Sequence, residues 1–453
     1  MNYIKRAVLV SSVIGCVSAQ AGTEPPTATD STTSSSSATG LLVGKFPGDT
    51  AWDKAWSAFT LYKNDNNQVL QEFSLQGRLQ VQYADGHSAN GHFDVEDYKD
   101  AGKDGVWGDK FEARRAYLGF KSKWFQNWKL EGQIDVNTNS PVGSKFPYAP
   151  VDDYRLYKDI YDLYLTYVSS DALNISVGKQ EIKLSREQEI SSKEIVTFER
   201  SLVTNMLHAG NLTGLWVNGK GIQEHWLYDM GIYANNQVPE FSEFDAGVLF
   251  LGKVGYDYSA ESKLDSAIVS FRYEHNSDPG YQSEVDSVYF SYGKAPAFTD
   301  AICLSNDITQ GRFGLTTDIL YGFGYSGNAD QNGKNTHINQ ADVFAINIIP
   351  TYFIADGLQL AGRVQFATSP DDVDGLKLGN RYEGVSPDYK TSGSSKGQRK
   401  SDATGDGYVS LYLGLNYYIY GNKLKIMNGL EYSHLTGGDY EGTTFLTGLR
   451  MSF

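Results

Sequence analysis

Hydrophobic and polar positions alternate with a period of two along most of this chain. The clearest stretch runs from Arg114 to Asn137. Ala116, Leu118 and Phe120 alternate with Arg115, Tyr117, Gly119 and Lys121. After a short break, Trp128, Leu130, Gly132, Ile134 and Val136 alternate with Lys129, Glu131, Gln133, Asp135 and Asn137. Successive side chains of a strand point to opposite faces. The stretch therefore predicts a β-hairpin with one apolar face and one charged face. Trp124, Phe125 and Trp128 gather at its turn, as aromatics do at a membrane–water boundary.

The same unit recurs down the chain. Strands are predicted over 71–84, 111–122, 127–137, 159–168, 173–180, 210–218, 225–235, 245–257, 265–276, 283–293, 311–325, 341–353, 358–368, 407–420, 422–435 and 441–453, sixteen in all. Most are long enough to cross a bilayer at a tilt of about 45°. Short connections (123–126, 169–172, 219–224, 258–264, 354–357 and 421) alternate with long ones (85–110, 138–158, 181–209, 326–340 and 369–406). Short periplasmic turns and longer outer loops give this asymmetry. Residues 294–310 break the alternation, being a long segment where a short turn is due. Lipid offers no hydrogen-bond partners, so a sheet that faces it has to close. The expected fold class is all-β: a transmembrane antiparallel β-barrel of 16 strands over 71–453, with an inward-folded constriction loop.

The N-terminal residues add a destination. Residues 1–21 read as a signal peptide, with Lys5 and Arg6 before an apolar core at 7–15 and Ala19-Gln20-Ala21 as cleavage site. Val13-Ile14-Gly15-Cys16 also fits a lipoprotein processing box, with Cys16 as the lipidated residue. Residues 22–70 form a Ser/Thr-rich lead-in and a short periplasmic segment. Within it Trp52, Trp56 and Phe59 sit at helical spacing over 51–62, as an amphipathic helix or an aromatic clasp on the barrel rim. The last strand alternates Phe445, Thr447, Leu449, Met451 and Phe453, similar to the C-terminal signal of bacterial outer-membrane barrels. The expected location is the outer membrane of a Gram-negative-type bacterium. A net charge of −15 excludes a basic nucleic-acid footprint. With Cys16 removed, Cys303 stands alone and no internal disulfide forms.

The polar phase of each strand is assigned to a water-filled lumen. Its basic candidates are Arg78, Arg115, Lys121, Lys129, Lys253, Arg272, Arg312, Arg363, Lys425 and Arg450. Its acids include Glu131, Asp162, Asp229, Glu274, Asp318 and Glu431. Connection 181–209 is dense in charge, with Lys183, Arg186, Lys193 and Arg200 against Glu181, Glu187, Glu189, Glu194 and Glu199. Ile182, Leu184, Ile190, Ile195, Val196, Phe198 and Leu202 give it apolar anchors, so it should be folded rather than floppy. Folded inward, it narrows the pore, and charges at a narrowing select ions. Candidate selectivity residues are Lys183, Arg186, Lys193, Arg200, Glu187, Glu189 and Glu199. An external loop covering the barrel mouth is the alternative.

Catalytic motifs are missing. There is no H-E-x-x-H pair and no Walker loop. Ser433 next to His434 is the one hydrolase-like pair. Neither a metal nor another cofactor is expected.

Several runs carry a resemblance. Arg114-Arg115-Ala116-Tyr117-Leu118-Gly119, Ile175-Ser176-Val177-Gly178-Lys179-Gln180, Ser191-Ser192-Lys193 and Phe198-Glu199-Arg200-Ser201-Leu202 resemble the phosphate-selective porin O/P family. The resemblance implies a trimeric, sixteen-stranded porin in outer-membrane lipid, passing small solutes or ions with no bond made or broken. It also implies an arginine-lined constriction for anions such as phosphate. A non-conducting barrel, serving as structural protein or adhesin through its acidic outer loops, is the other reading.

Overall fold

A computed structural model describes residues 50–88, 106–136, 157–223, 225–242, 244, 247–278, 298–325, 342–369, 376–377, 404–436 and 440–453. The expected signal peptide, the lead-in up to residue 49, the strand expected at 283–293 and most of the first acidic loop lie outside the described residues.

A short helix α1 (Ala51–Ser57) and strand β1 (Thr60–Lys63) precede the barrel. The barrel strands are β2 (Leu70–Ser88), β3 (Val106–Trp124), β4 (Trp128–Val136), β5 (Tyr157–Ser170), β6 (Leu173–Glu181), β7 (Asn211–Ile222), β8 (Trp226–Ala234), β9 (Val248–Asp257), β10 (Ser266–Asn276), β11 (Phe298–Gln310), β12 (Phe313–Tyr325), β13 (Val343–Ala355) and β14 (Leu358–Thr368). After a two-residue pairing in an outer connection, β15 (Leu376–Lys377) with β16 (Thr404–Gly405), the barrel resumes with β17 (Gly407–Tyr420), β18 (Leu424–Thr436) and β19 (Tyr440–Ser452). Each barrel strand pairs antiparallel with the next, β14 pairs with β17, and β19 returns to β2. Sixteen strands therefore close on themselves and leave no edge to lipid.

Exposure is inverted relative to a soluble protein. Leu79, Leu118, Val177, Leu215, Ile232, Phe271, Leu304, Val364 and Leu449 are exposed, and Leu413 is 64% exposed. The alternate positions, among them Gln76, Arg78, Gln80, Arg272, Asn347, Gln365 and Arg450, are buried. Sheet alternation has put the apolar set outside, where acyl chains replace water, and the polar set inside.

Fifteen of the expected strands are present within a few residues of their predicted bounds. The exception is the strand expected at 283–293. The structure places β11 at Phe298–Gln310 instead, followed by a tight turn at Gly311-Arg312 and β12. Gly311 has φ +56°, the left-handed backbone that such a turn requires. The misplacement has a physical cause. Ala301 and Cys303, which face inward, lie in a dry cluster rather than in water, so Ala301-Ile302-Cys303-Leu304 reads as an apolar run. With β11 in place short turns and longer connections alternate from β2 to β18, and only the last connection, 437–439, is short where a long one is due. Arg312, expected on the pore wall, belongs to this turn and bonds Asp356 at 3.0 Å.

The expected helix over 51–62 stops at Ser57, and Thr60–Lys63 pairs with β2 instead. Thr50 caps α1 through a capping box with Asp53. The aromatics form a clasp over the β2–β19 seam. Trp56 Nε1 donates to the Ser452 carbonyl at 2.6 Å, Phe59 stacks on Phe453 with centroids 3.9 Å apart, and Trp56 packs on Tyr420 at 5.1 Å. Aromatic pairs contribute about 1 kcal/mol each beyond burial. Trp56→Ala with Phe59→Ala should therefore lower the temperature at which the barrel loses its compact mobility on a gel. An unchanged transition would show that the clasp does not stabilise the seam.

Candidate functional site

Residues 182–210 connect β6 to β7 and carry two helical turns, α2 (Arg186–Glu189) and α3 (Leu202–Met206). Ser185 caps α2 in a reciprocal box with Gln188, and the Ser201 hydroxyl accepts from Thr204 N at the start of α3. Both ends of this segment are tied to apolar positions of the barrel interior. Ile182, Leu184, Val203 and Leu207 join a buried cluster with Trp216, Tyr233, Leu251, Cys303, Leu320, Val343 and Tyr408, and Leu376 of β15 completes it. Phe198 sits in a second cluster with Ala84, Tyr412, Met427 and Leu446.

Charged and polar ties supplement the apolar ones. Arg186 N and Glu187 N donate to the two carboxylate oxygens of Asp318 on β12, at 2.8 and 3.1 Å. A wall acid thus satisfies the free amides at the start of α2. The Arg186 side chain pairs with Asp307 on β11 at 2.8 Å. Glu187 accepts from Ser201 N and Oγ and from Asn347 Nδ2 on β13, with Arg363 3.6 Å away. Glu189 meets Arg272 at 2.7 Å and Arg186 at 3.5 Å, and also bonds Lys253. Lys425 donates to the Ile195 carbonyl at 2.9 Å, Asn416 to the Val196 carbonyl at 2.8 Å, and Arg450 to the Phe198 carbonyl. Arg363 bonds the Glu199 carbonyl and pairs with Glu431 at 2.9 Å. Arg78 donates to Ser192 Oγ, and to Gln133 at 3.0 Å. The strands engaged lie on opposite sides of the ring.

These contacts tie down several of the residues expected at the constriction and on the wall. Arg200 bonds Glu181 at 2.9 Å and the carbonyls of Gln188 and Ile190, so it holds the segment's own fold. Arg272 is 0% exposed, and Arg363, Lys425 and Arg450 are buried with it. A buried guanidinium already bonded to carboxylates or carbonyls presents no free charge to a passing ion. Lys121, on the open wall, pairs with Glu131 at 3.5 Å. Lys129, Lys183 and Lys193 form no ion pair among the described residues. Lys193 is pushed down to about 8 by burial, with Arg78 and Lys121 adding to the effect.

Several participants escaped sequence reasoning. Asp307, Asn347, Gln80 and Gln365 hold the segment or its partners, as does Arg114. Arg114 is the extra residue of a bulge in β3, since Gln80 pairs with Arg115 and Val81 with Ala113. A bulge re-aims one side chain, and here consecutive arginines both reach Glu199, Arg114 at 2.6 Å and Arg115 at 3.1 Å. Burial opposes the Glu199 charge, but Arg114, Arg115 and Arg450 outweigh it and hold this carboxyl well below the usual range. The doubled Arg in the sequence was the only available signal.

No curated protein matches the sequence. Solved structures with a similar fold include the outer-membrane channel DcaP of Acinetobacter baumannii, at 15% identity and TM-score 0.47 over 87% of this chain and 100% of that one. Another is an anion-selective porin from Comamonas acidovorans, at 11% identity and TM-score 0.47 over 84% of this chain and 99% of that one. OmpT, an outer membrane protein of Vibrio cholerae, is similar at 12% identity and TM-score 0.47, over 85% and 100%. The family model for phosphate-selective porin O and P matches residues 87–445, most of the closed ring and the whole 182–210 segment. The chain belongs to the phosphate-selective porin O and P family, whose members are outer-membrane channels.

Proposed function

We propose that the chain is a passive diffusion porin for small hydrophilic solutes and ions, narrowed by residues 182–210 folded into its lumen, and that it assembles as a homotrimer in outer-membrane lipid. One observation carries the channel reading: a closed sixteen-stranded ring whose outward positions are apolar and whose inward positions are polar and charged. Bonds from the segment to strands on opposite sides of the ring support the constriction. The proposed selectivity falls to Lys183 and Lys193, because Arg186, Arg200, Arg363 and Arg450 are occupied by carboxylates and carbonyls. An arginine-lined phosphate filter finds no support in this arrangement. Nor does hydrolysis: Ser433 and His434 are consecutive on β18, and consecutive strand residues face opposite sides of the wall.

Purified protein in planar bilayers should give ohmic single-channel steps. A folded preparation that gives none would favour a structural barrel acting through its acidic outer loops.

A further inference from the structure

The wall is incomplete where β6 leaves it. β6 ends at Glu181, where the chain turns into the lumen, and its last rung with β5 is Lys179 opposite Leu163. β5 runs on outward to Tyr157 without β6 beside it. On its other side Lys179 lies opposite Thr213 of β7. Lys179 shares its strand face with Ile175 and Val177, and Thr213 shares its face with Leu215; these neighbours are exposed and turned to lipid. A cation on this face is costly, because hydrocarbon offers it no partner. Yet Lys179 is only 2% exposed.

The connection from β8 to β9, described at 235–242, 244 and 247, covers it. This loop folds back over the outside of the wall. Lys179 Nζ donates to the carbonyls of Val238 at 2.6 Å and Pro239 at 3.2 Å. The Pro239 carbonyl also accepts from Ile160 N at 2.8 Å, so the loop takes the ladder place that β6 vacates. Ser242 N donates to Thr213 Oγ1 at 2.8 Å, and the Tyr157 hydroxyl donates to Glu240 at 3.2 Å. Polar groups at the gap are thereby satisfied without water. With its inner side fastened in this way, the loop leaves two large apolar side chains uncovered, Phe241 at 46% and Phe244 at 57% exposure. They flank Ser242, which is seated on the lipid-facing wall.

We infer that this loop is an outer-leaflet anchor, folded over the exterior of β5–β7 so that Phe241 and Phe244 enter the acyl chains of the membrane. Lipid is the occupant because the surface continues the apolar wall of β6–β9, where Ile175, Val177, Leu215, Ile232 and Phe250 are exposed outward. The anchor goes beyond the porin reading and does not require conduction. It also ties lipid to the segment in the lumen, since Gln237 Nε2 donates to the Ala209 carbonyl at 2.6 Å, at the end of residues 182–210.

Nitroxide labels at Phe241→Cys and, separately, at Phe244→Cys test the anchor in full-length protein reconstituted into phosphatidylcholine vesicles. Cys303 is buried, and wild-type protein taken through the same labelling supplies the blank. Leu215→Cys serves as the lipid reference, and Asp171→Cys, on an exposed turn, as the water reference. Oxygen concentrates in hydrocarbon, whereas a nickel chelate stays in water. Scaled to the label at residue 171, both loop labels should collide with oxygen at least about threefold more often than with the chelate, as the lipid reference does. Chelate collisions like those at residue 171 would overturn the anchor, because the loop would then stand in water. Spin–spin broadening that disappears on dilution with unlabelled protein would overturn it as well, by placing a second copy of the chain on this face. The two label sites are read independently, so a substitution that disturbs the loop at one leaves the other to decide.

Discussion

Replacing Glu189 with glutamine should release the proposed constriction and raise single-channel conductance. Glu189 is the common partner of Arg272, Lys253 and Arg186, and Arg272 has no exposure at all. Removing one partner of a buried ion pair leaves an uncompensated charge, at a cost of about 3–5 kcal/mol. The barrel ladders do not depend on this carboxylate, so the loss falls on the docking of α2 against β9 and β10. Larger, noisier steps with an unchanged barrel transition are the expected record; wild-type steps would show that the apolar anchors hold the segment alone. Acid should act in the same direction. Glu189 is buried, which opposes its charge, but Arg272, Lys253 and Arg186 prevail and keep its carboxyl far below the ordinary range. A depressed folded value means the stabilisation is complete above the unfolded pKa, about 4.3 for Glu, and fades as pH falls toward the folded one. The segment should therefore stay locked at pH 6 and loosen only in strong acid.

The second large effect concerns the outer surface. Leu413 is at the middle of β17, flanked outward by Leu411 and Leu415, and is the most lipid-exposed leucine of the wall. Leu413→Arg should cost about 2–4 kcal/mol, the penalty for a guanidinium facing hydrocarbon near the bilayer midplane. Thr166→Arg, on the accessible inner face of β5, should cost about 1 kcal/mol or less, chiefly the hydroxyl bond to Ser176. Urea unfolding in lipid vesicles compares the two. Equal penalties would mean that inside and outside have been misassigned.

Much of the ring was legible because a barrel wall between lipid and water writes the period-two pattern directly into the chain. Legibility failed where that condition failed. Ala301 and Cys303 face a dry cluster under the 182–210 segment, so β11 lacks a clear polar phase there and the pattern points to 283–293 instead. The segment itself was recognisable from its length, its charge and its spaced apolar residues. What its charges do was not. A sequence shows Arg186, Arg200 and Arg363 as cations, but only the fold reveals Asp307, Glu181 and Glu431 against them. Arg114 was hidden for a different reason, since a bulge shifts the register by one residue without a compositional mark.

The clasp of Trp56 and Phe59 spans a surface made jointly by the two chain-terminal strands of the cylinder. Neither strand presents that surface by itself: Phe453 reaches its place only when its amide and carbonyl bond Gly77 on the far side of the junction. Trp56 and Phe59 thus find their docking surface only once β2 and β19 have paired. Their seating therefore depends on closure of the ring, so the clasp reports whether the β2–β19 junction has formed.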